Sequence, residues 1–254
     1  MAEPPVTEPS VTEPPGTEPS VTEPPGTEPT VTEPTVTEPP VTEPAGRLSP
    51  LARLEPVSSR DLRVAELPFL TQVDLRVDPA SGTAADIARA LGVPLLPTEP
   101  GTLVSTGPDT PPYATSASTG PDTPPSATSV SGRQVLWLGP DEWLVVGPPG
   151  DTGLEARLRA AAGTGHAAVT DVSAQRTVLL VTGPKARDLL SHGCALDLHP
   201  RAFGPGRCAQ TMLARAQVIL AARDEDGFHV FVRSSFADYL AAWLLDAAGE
   251  YLNG

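Results

Sequence analysis

Cysteine, long apolar runs and positive charge are all scarce in this chain of 254 residues, and each scarcity excludes something. Two cysteines, Cys194 and Cys208, cannot build a disulfide framework, so two free, buried thiols and a reducing compartment are expected. No stretch of 18 uninterrupted apolar residues occurs, so no membrane span is expected. The opening "MAEPPV" has neither a positive n-region nor an apolar h-region, so the expected location is cytoplasmic. Positive charge is short as well: the net formal charge is −14, and non-specific nucleic-acid binding relies on neutralising phosphates with Lys and Arg. Lys185 is the single lysine beside sixteen arginines, a skew that reads as coding bias and says little about function.

Proline and glutamate, by contrast, are concentrated at one end. Residues 1–46 repeat a five-residue "VTEPP"-type unit, with a glutamate at every fifth position from Glu3 to Glu43. This stretch carries −9 of the charge and leaves −5 for the other 208 residues. Each glutamate precedes a proline, which biases it toward extended or polyproline-II geometry and away from helix. Proline also lacks the backbone donor that sheet pairing needs. The scattered valines are too few to offset the entropy of ordering the chain, so 1–46 is read as a disordered tail without site chemistry.

Residues 47–254 are long enough for one or two small cores. A second repeat interrupts them, "STGPDTPPYATSA" followed by "STGPDTPPSATSV", which makes 105–132 a low-complexity insert. With it removed, "TLV" (102–104) runs almost directly into "RQVLWLGPDEWLVVG" (133–147), so the insert reads as an expanded hairpin tip. Alternation in "FLTQVDLRVD" (69–78) predicts a strand, and "SGTAADIARALG" (81–92) a helix stopped by Gly92 and Pro94. Gly139-Pro140-Asp141 predicts a hairpin, after which Asp151 is expected to cap a helix. The segment 166–183 reads as two strands about a turn near Ser173, followed by a helix from Pro184 to Leu190. Up to three strands follow over 208–233. The last helix is expected to start at a Ser235/Asp238 capping box and to bury Phe236, Tyr239, Leu240, Trp243, Leu244 and Ala247 on one face. The fold class is α+β, in two lobes of about 50–163 and 164–254.

No reactive constellation emerges from these elements. His192, Cys194, His199 and Cys208 are metal-ligand types, but their spacing matches neither the Cys-x2-4-Cys nor the His-x3-5-His pattern of zinc sites, so no metal residue is assigned. "GPPGDTG" (147–153) lies between a strand and a helix yet lacks both GxGxxG spacing and the Walker lysine. No GxSxG is present, and adjacent Asp141 and Glu142 would face opposite ways in a strand, so no catalytic or cofactor-binding residue is assigned. A structural ion pair between Asp171 and Arg176 across the 173 turn is expected. The residues that stand out are candidate core or interface anchors: Trp137, Trp143, Arg176, Phe236, Tyr239 and Trp243.

Three blocks, "VLWLGPDEWLVVG", "DVSAQRTVLLVTGPKARDLLSHGCALDLHPRAFGPGRCAQTMLARAQVIL" and "FVRSSFADYLAAWLLDA", together resemble the gamma subunit of heterotetrameric sarcosine oxidase. The resemblance is weak over 50–104 and strong over 133–250; the tail and the duplication lie outside it. It implies lobes similar to the folate-binding domain of aminomethyltransferases. It also implies a structural, non-catalytic place in a complex that demethylates sarcosine to glycine, releases hydrogen peroxide and passes the methylene group to tetrahydrofolate. The partners implied are alpha, beta and delta subunits, with alpha the main contact, and FAD, FMN, NAD and zinc held in those partners. The alternative is a stand-alone, aminomethyltransferase-like folate-binding protein of one-carbon metabolism.

Overall fold

The computed structural model describes residues 48–106 and 132–252; the tail 1–46 and most of the duplicated insert lie outside the described residues. The first strands are β1 (Val57–Ser58), β2 (Arg63–Leu67) and β3 (Leu70–Val77). Helix α1 (Gly82–Leu91) begins where the Ser81 hydroxyl accepts from the Ala84 N–H, and ends at Gly92 in the left-handed region, φ 78°. Strand β4 (Leu103–Thr106) pairs antiparallel with β5 (Arg133–Gly139), Thr106 lying opposite Arg133. Strands β4 and β5, on either side of residues 107–131, are therefore paired, and β5 turns through Pro140-Asp141 into β6 (Glu142–Pro149). Helix α2 (Leu154–Ala162) and strands β7 (Ala167–Asp171) and β8 (Arg176–Thr182) follow, then helix α3 (Ala186–Ser191). Strands β9 (Arg207–Leu213), β10 (Ala216–Ala222) and β11 (Gly227–Arg233) form a meander, and a 3-10 turn at Ser234–Phe236 leads into α4 (Ala237–Leu252).

Among the described residues these strands build two antiparallel sheets, ordered β1-β2-β8-β11-β10-β9 and β4-β5-β6-β3-β7. The sheets pack face to face: Val178, Leu180, Ile219 and Phe231 from the first share a core with Leu70, Leu136, Leu144 and Val146 from the second. Helices α3 and α4 cover the outer face of the six-stranded sheet, with Leu189, Leu190, Leu240 and Leu244 against Leu179, Val181, Val230 and Val232. On the far side α1 and α2 cover the five-stranded sheet, with Ile87, Leu91, Leu154 and Leu158 against Val73, Leu75, Val135 and Val145. Because both faces of each sheet are covered, the central strands read as unbroken apolar runs such as "TVLLV", and the chain has no polar face there to show.

Several expectations need correcting. β7 and β8 do not pair with each other: β7 adds to β3, whereas β8 lies between β2 and β11. The turn near Ser173 is thus a crossing from one sheet to the other, pinned by the Ser173 hydroxyl accepting from the Gln72 N–H. The sheets accordingly do not divide the chain at 163/164, since β1 and β2 belong with the C-terminal strands. Asp171 does not pair with Arg176; its carboxylate accepts from the Ser173 N–H and shapes the crossing instead. Asp151 offers no side-chain cap to α2, because its carboxylate is taken by two arginines, Arg133 at 2.9 Å and Arg157 at 2.7 Å. The Ser235/Asp238 box is absent as well: the preceding 3-10 turn has no side-chain cap, and it is Ser234 that bonds, to the Ala174 carbonyl. α4 consequently buries Ala237, Leu240, Ala241, Leu244 and Ala248, while Phe236 and Tyr239 are 43% and 40% exposed.

Candidate functional site

The six anchor candidates fall into two groups. Trp143 on β6 is fully buried beneath α1 and α2, and its indole N–H donates to the Pro97 carbonyl at 2.7 Å. Trp137 lies opposite it on β5, partly buried against the same core, with an indole nitrogen that is buried and unpartnered. Trp243 on α4 packs at the margin of the other core. Arg176, Phe236 and Tyr239 are different: all three keep exposed surface near one end of the six-stranded sheet.

The metal-ligand types are not brought together. His192 meets the Tyr251 hydroxyl at 2.9 Å, and His199 accepts from the Arg201 N–H. Cys194 is buried under α4, whereas Cys208 lies in the core between the sheets. Among the described residues no group of three or more His, Cys, Asp or Glu converges on a point. Burial pushes the Cys208 thiol up to about 11 despite its contact with the Trp137 carbonyl, so it stays protonated and unreactive at neutral pH. His229, wholly buried on β11, is held well below its ordinary value by loss of solvent and by the Arg223 charge, so it is a neutral core residue.

Arg176 and Arg233 form a pair that sequence reading missed. They are directly opposed on β8 and β11, and they line a cavity of about 460 Å³ with Gln210, Thr211, Met212 and Gln217 from β9 and β10. Loss of solvent and repulsion by Arg233 lower the pKa of Arg176, against the pull of Asp74 and Glu142. Each arginine is visible in sequence at a strand end, but their opposition is not, because it depends on a pairing between segments 57 residues apart. A second concavity, about 430 Å³, lies where Gly101 and Leu138 meet Phe203, Cys208 and Ala209. Its wall is mostly apolar but also carries Asp197, Arg207 and Gln210, and the one thiol there is Cys208, which burial keeps protonated.

Two facing antiparallel sheets with helices on their outer faces define an α+β chain. The same fold is seen in the glycine cleavage system aminomethyltransferase T of Bartonella henselae, with a TM-score of 0.56 over 79% of this chain and 57% of that one; at 13% identity the likeness concerns the fold alone. The family described as "Sarcosine oxidase, gamma subunit family" matches residues 112–250. The sarcosine oxidase subunit gamma of Corynebacterium sp. (strain P-1) is 37% identical over 190 residues, covering 75% of this chain and 81% of that protein. A chain of the heterotetrameric sarcosine oxidase from Corynebacterium sp. U-96, solved with pyrrole 2-carboxylate, superposes with a TM-score of 0.67 at 34% identity, covering 82% of this chain and 97% of that one. This chain belongs to the sarcosine oxidase gamma subunit family.

Proposed function

We propose that the chain is the structural, non-catalytic gamma subunit of a heterotetrameric sarcosine oxidase. That complex demethylates sarcosine to glycine oxidatively, releases hydrogen peroxide and passes the methylene group to tetrahydrofolate. In this reading FAD, FMN, NAD and zinc are held by alpha, beta and delta partners, and alpha is the main contact. The observation that carries the reading is the near-complete match to one chain of a solved heterotetramer, 97% of that chain at 34% identity. Two buried free thiols support a cytoplasmic location, and no helix among the described residues is long and apolar enough to cross a membrane. The folded body, about 47–254, is proposed to act as one docking unit, with 1–46 and the 105–132 insert additional to it.

The test is to co-express the alpha, beta and delta chains with and without this one, and to assay peroxide release from sarcosine. Loss of stable, active complex without it is expected; full and durable turnover by the trimer would overturn the reading. Titration of the isolated chain with tetrahydrofolate addresses the stand-alone alternative. Micromolar binding together with methylene transfer would favour that alternative, and neither is expected.

A further inference from the structure

One end of the six-stranded sheet differs from the rest of this acidic protein. There β8 starts, β11 ends, β9 turns into β10, and β2 leaves for the other sheet after Leu67, which lies opposite Val178. The segments that meet there (68–70, 172–177, 211–217 and 232–239) contain Arg176, Arg215 and Arg233 but a single carboxylate, Asp238. Neither Arg176 nor Arg233 makes an ion pair among the described residues; the Arg176 guanidinium reaches only the Gln175 side-chain oxygen. The carboxylates that approach from neighbouring strands are already engaged. Asp74 and Glu142 both pair with Arg76, at 3.9 and 2.7 Å, and Glu66 accepts from Ser49 and Thr177. Like charges directly opposite on paired strands destabilise a sheet, so the Arg176–Arg233 opposition costs the isolated chain stability, offset only by the pull of Asp74 and Glu142, which are themselves held by Arg76.

The same end also leaves apolar surface uncovered. Met212 is 44% exposed, Phe69 occupies the β2–β3 connection, and Phe236 and Tyr239 stand edge to face with ring centroids 6.5 Å apart. Together these are most of the large apolar side chains exposed among the described residues; Leu48 and Leu95 lie in other segments. Arginine and methionine lining a concavity, with exposed aromatic side chains on the segments that leave the same strand ends, are the composition of a protein–protein contact, in which buried carboxylate–arginine pairs set orientation.

We propose that this end of the six-stranded sheet is the docking surface for another subunit of the oxidase, which inserts an acidic side chain between Arg176 and Arg233 and covers Met212, Phe236 and Tyr239 with apolar contacts. The inference rests on the subunit role proposed above. A carboxylate fits because a guanidinium pair offers forked donors to two oxygens, and because the net charge of these segments is positive on a chain that is −14 overall.

The experiment is co-expression of the full chain with the other three subunits and recovery of the complex through a tag on one of them. Arg233→Glu, at an exposed position, is expected to reduce recovery at least ten-fold. Arg176→Glu with Arg233→Glu should reduce it further, and Arg233→Lys, which keeps the charge but loses the fork, should fall between wild type and Arg233→Glu. Arg89→Glu on α1 serves as the charge-matched control and should recover like wild type. The melting temperature of the purified Arg233→Glu chain should not fall below wild type and should rise slightly, because a glutamate opposite Arg176 replaces a like-charge pair by an opposite-charge one, which separates lost docking from lost folding. Recovery of both glutamate variants at the wild-type level would overturn the inference, as would an equal loss in the Arg89→Glu control. If residues 1–46 are deleted and the Arg233→Glu defect disappears, the surface holds the chain's own glutamates and the inference also falls. Failure of the wild-type chain itself to assemble would instead refute the subunit role.

Discussion

Gly193 occupies a position where even a methyl group does not fit. A Cβ there would come within 2.6 Å of the Trp243 ring and 2.9 Å of the Ala214 nitrogen. The ring could shift, but the nitrogen is backbone and is fixed by its own hydrogen bond to the Gly193 carbonyl. Gly193→Ala should therefore cost about 1–3 kcal/mol, as overpacking generally does, and should lower the urea midpoint. Asp151 gives a prediction with a pH signature. Its carboxylate is only 12% exposed; burial pushes its pKa up, and hydrogen bonds from Arg157 and Arg133 with their charges outweigh this and hold it below 3.8. A carboxylate whose folded-state pKa is depressed lends stability above its unfolded pKa, and that stability is lost as pH falls through the folded value. Asp151→Asn should be less stable than wild type at pH 7, and the gap should close as chemical denaturation is repeated toward pH 3. A gap independent of pH would mean that the arginines bind the residue for its shape and not its charge.

At the scale of elements, α1 depends on one hydroxyl. Ser81→Ala removes the acceptor for the Ala84 N–H and should destabilise by about 1 kcal/mol, read from the thermal midpoint. Truncating Trp143 to Ala should cost more, about 3–5 kcal/mol, because it empties the core under both α1 and α2 and strands the Pro97 carbonyl. Elements of this kind were legible in the sequence. α1 carries its own start and stop at Ser81 and Gly92, and the β5–β6 hairpin announces its turn with Gly139-Pro140-Asp141, since caps and turns are local chemistry. What local chemistry does not contain is the partner of each strand. β7 and β8 look like neighbours because they are adjacent in sequence, yet the chain changes sheets between them at Val172 to Gln175. The Arg176–Arg233 opposition was hidden for the same reason, and so was the capture of Asp151 by Arg133 from across β5. The buried face of α4 lies one position away from the face its aromatic residues suggest. Its small residues Ala237, Ala241 and Ala248 take the core side instead, which lets the helix approach the sheet closely, and Phe236 and Tyr239 are left outside.

At the scale of the whole molecule, the match to the solved heterotetramer bears on what is essential. Nearly all of that chain, 97%, is covered by 82% of this one, so roughly a fifth of this sequence has no counterpart there. The five-residue repeat carries nine glutamates and no basic residue, lies outside the family match at 112–250, and contains none of the arginines or aromatic residues at the sheet end. Its charge has the opposite sign to that end, so any effect of the repeat on docking should be electrostatic and screened by salt. Deleting residues 1–46 should accordingly leave assembly and peroxide release intact. Recovery of the complex at low salt should be unchanged or slightly higher, with the difference vanishing at about 0.5 M salt, where exposed charges are screened within a few ångströms. A fall in recovery on deletion, persisting at high salt, would mean that the repeat makes contacts of its own with a partner. The docking body would then have to be extended beyond the two sheets.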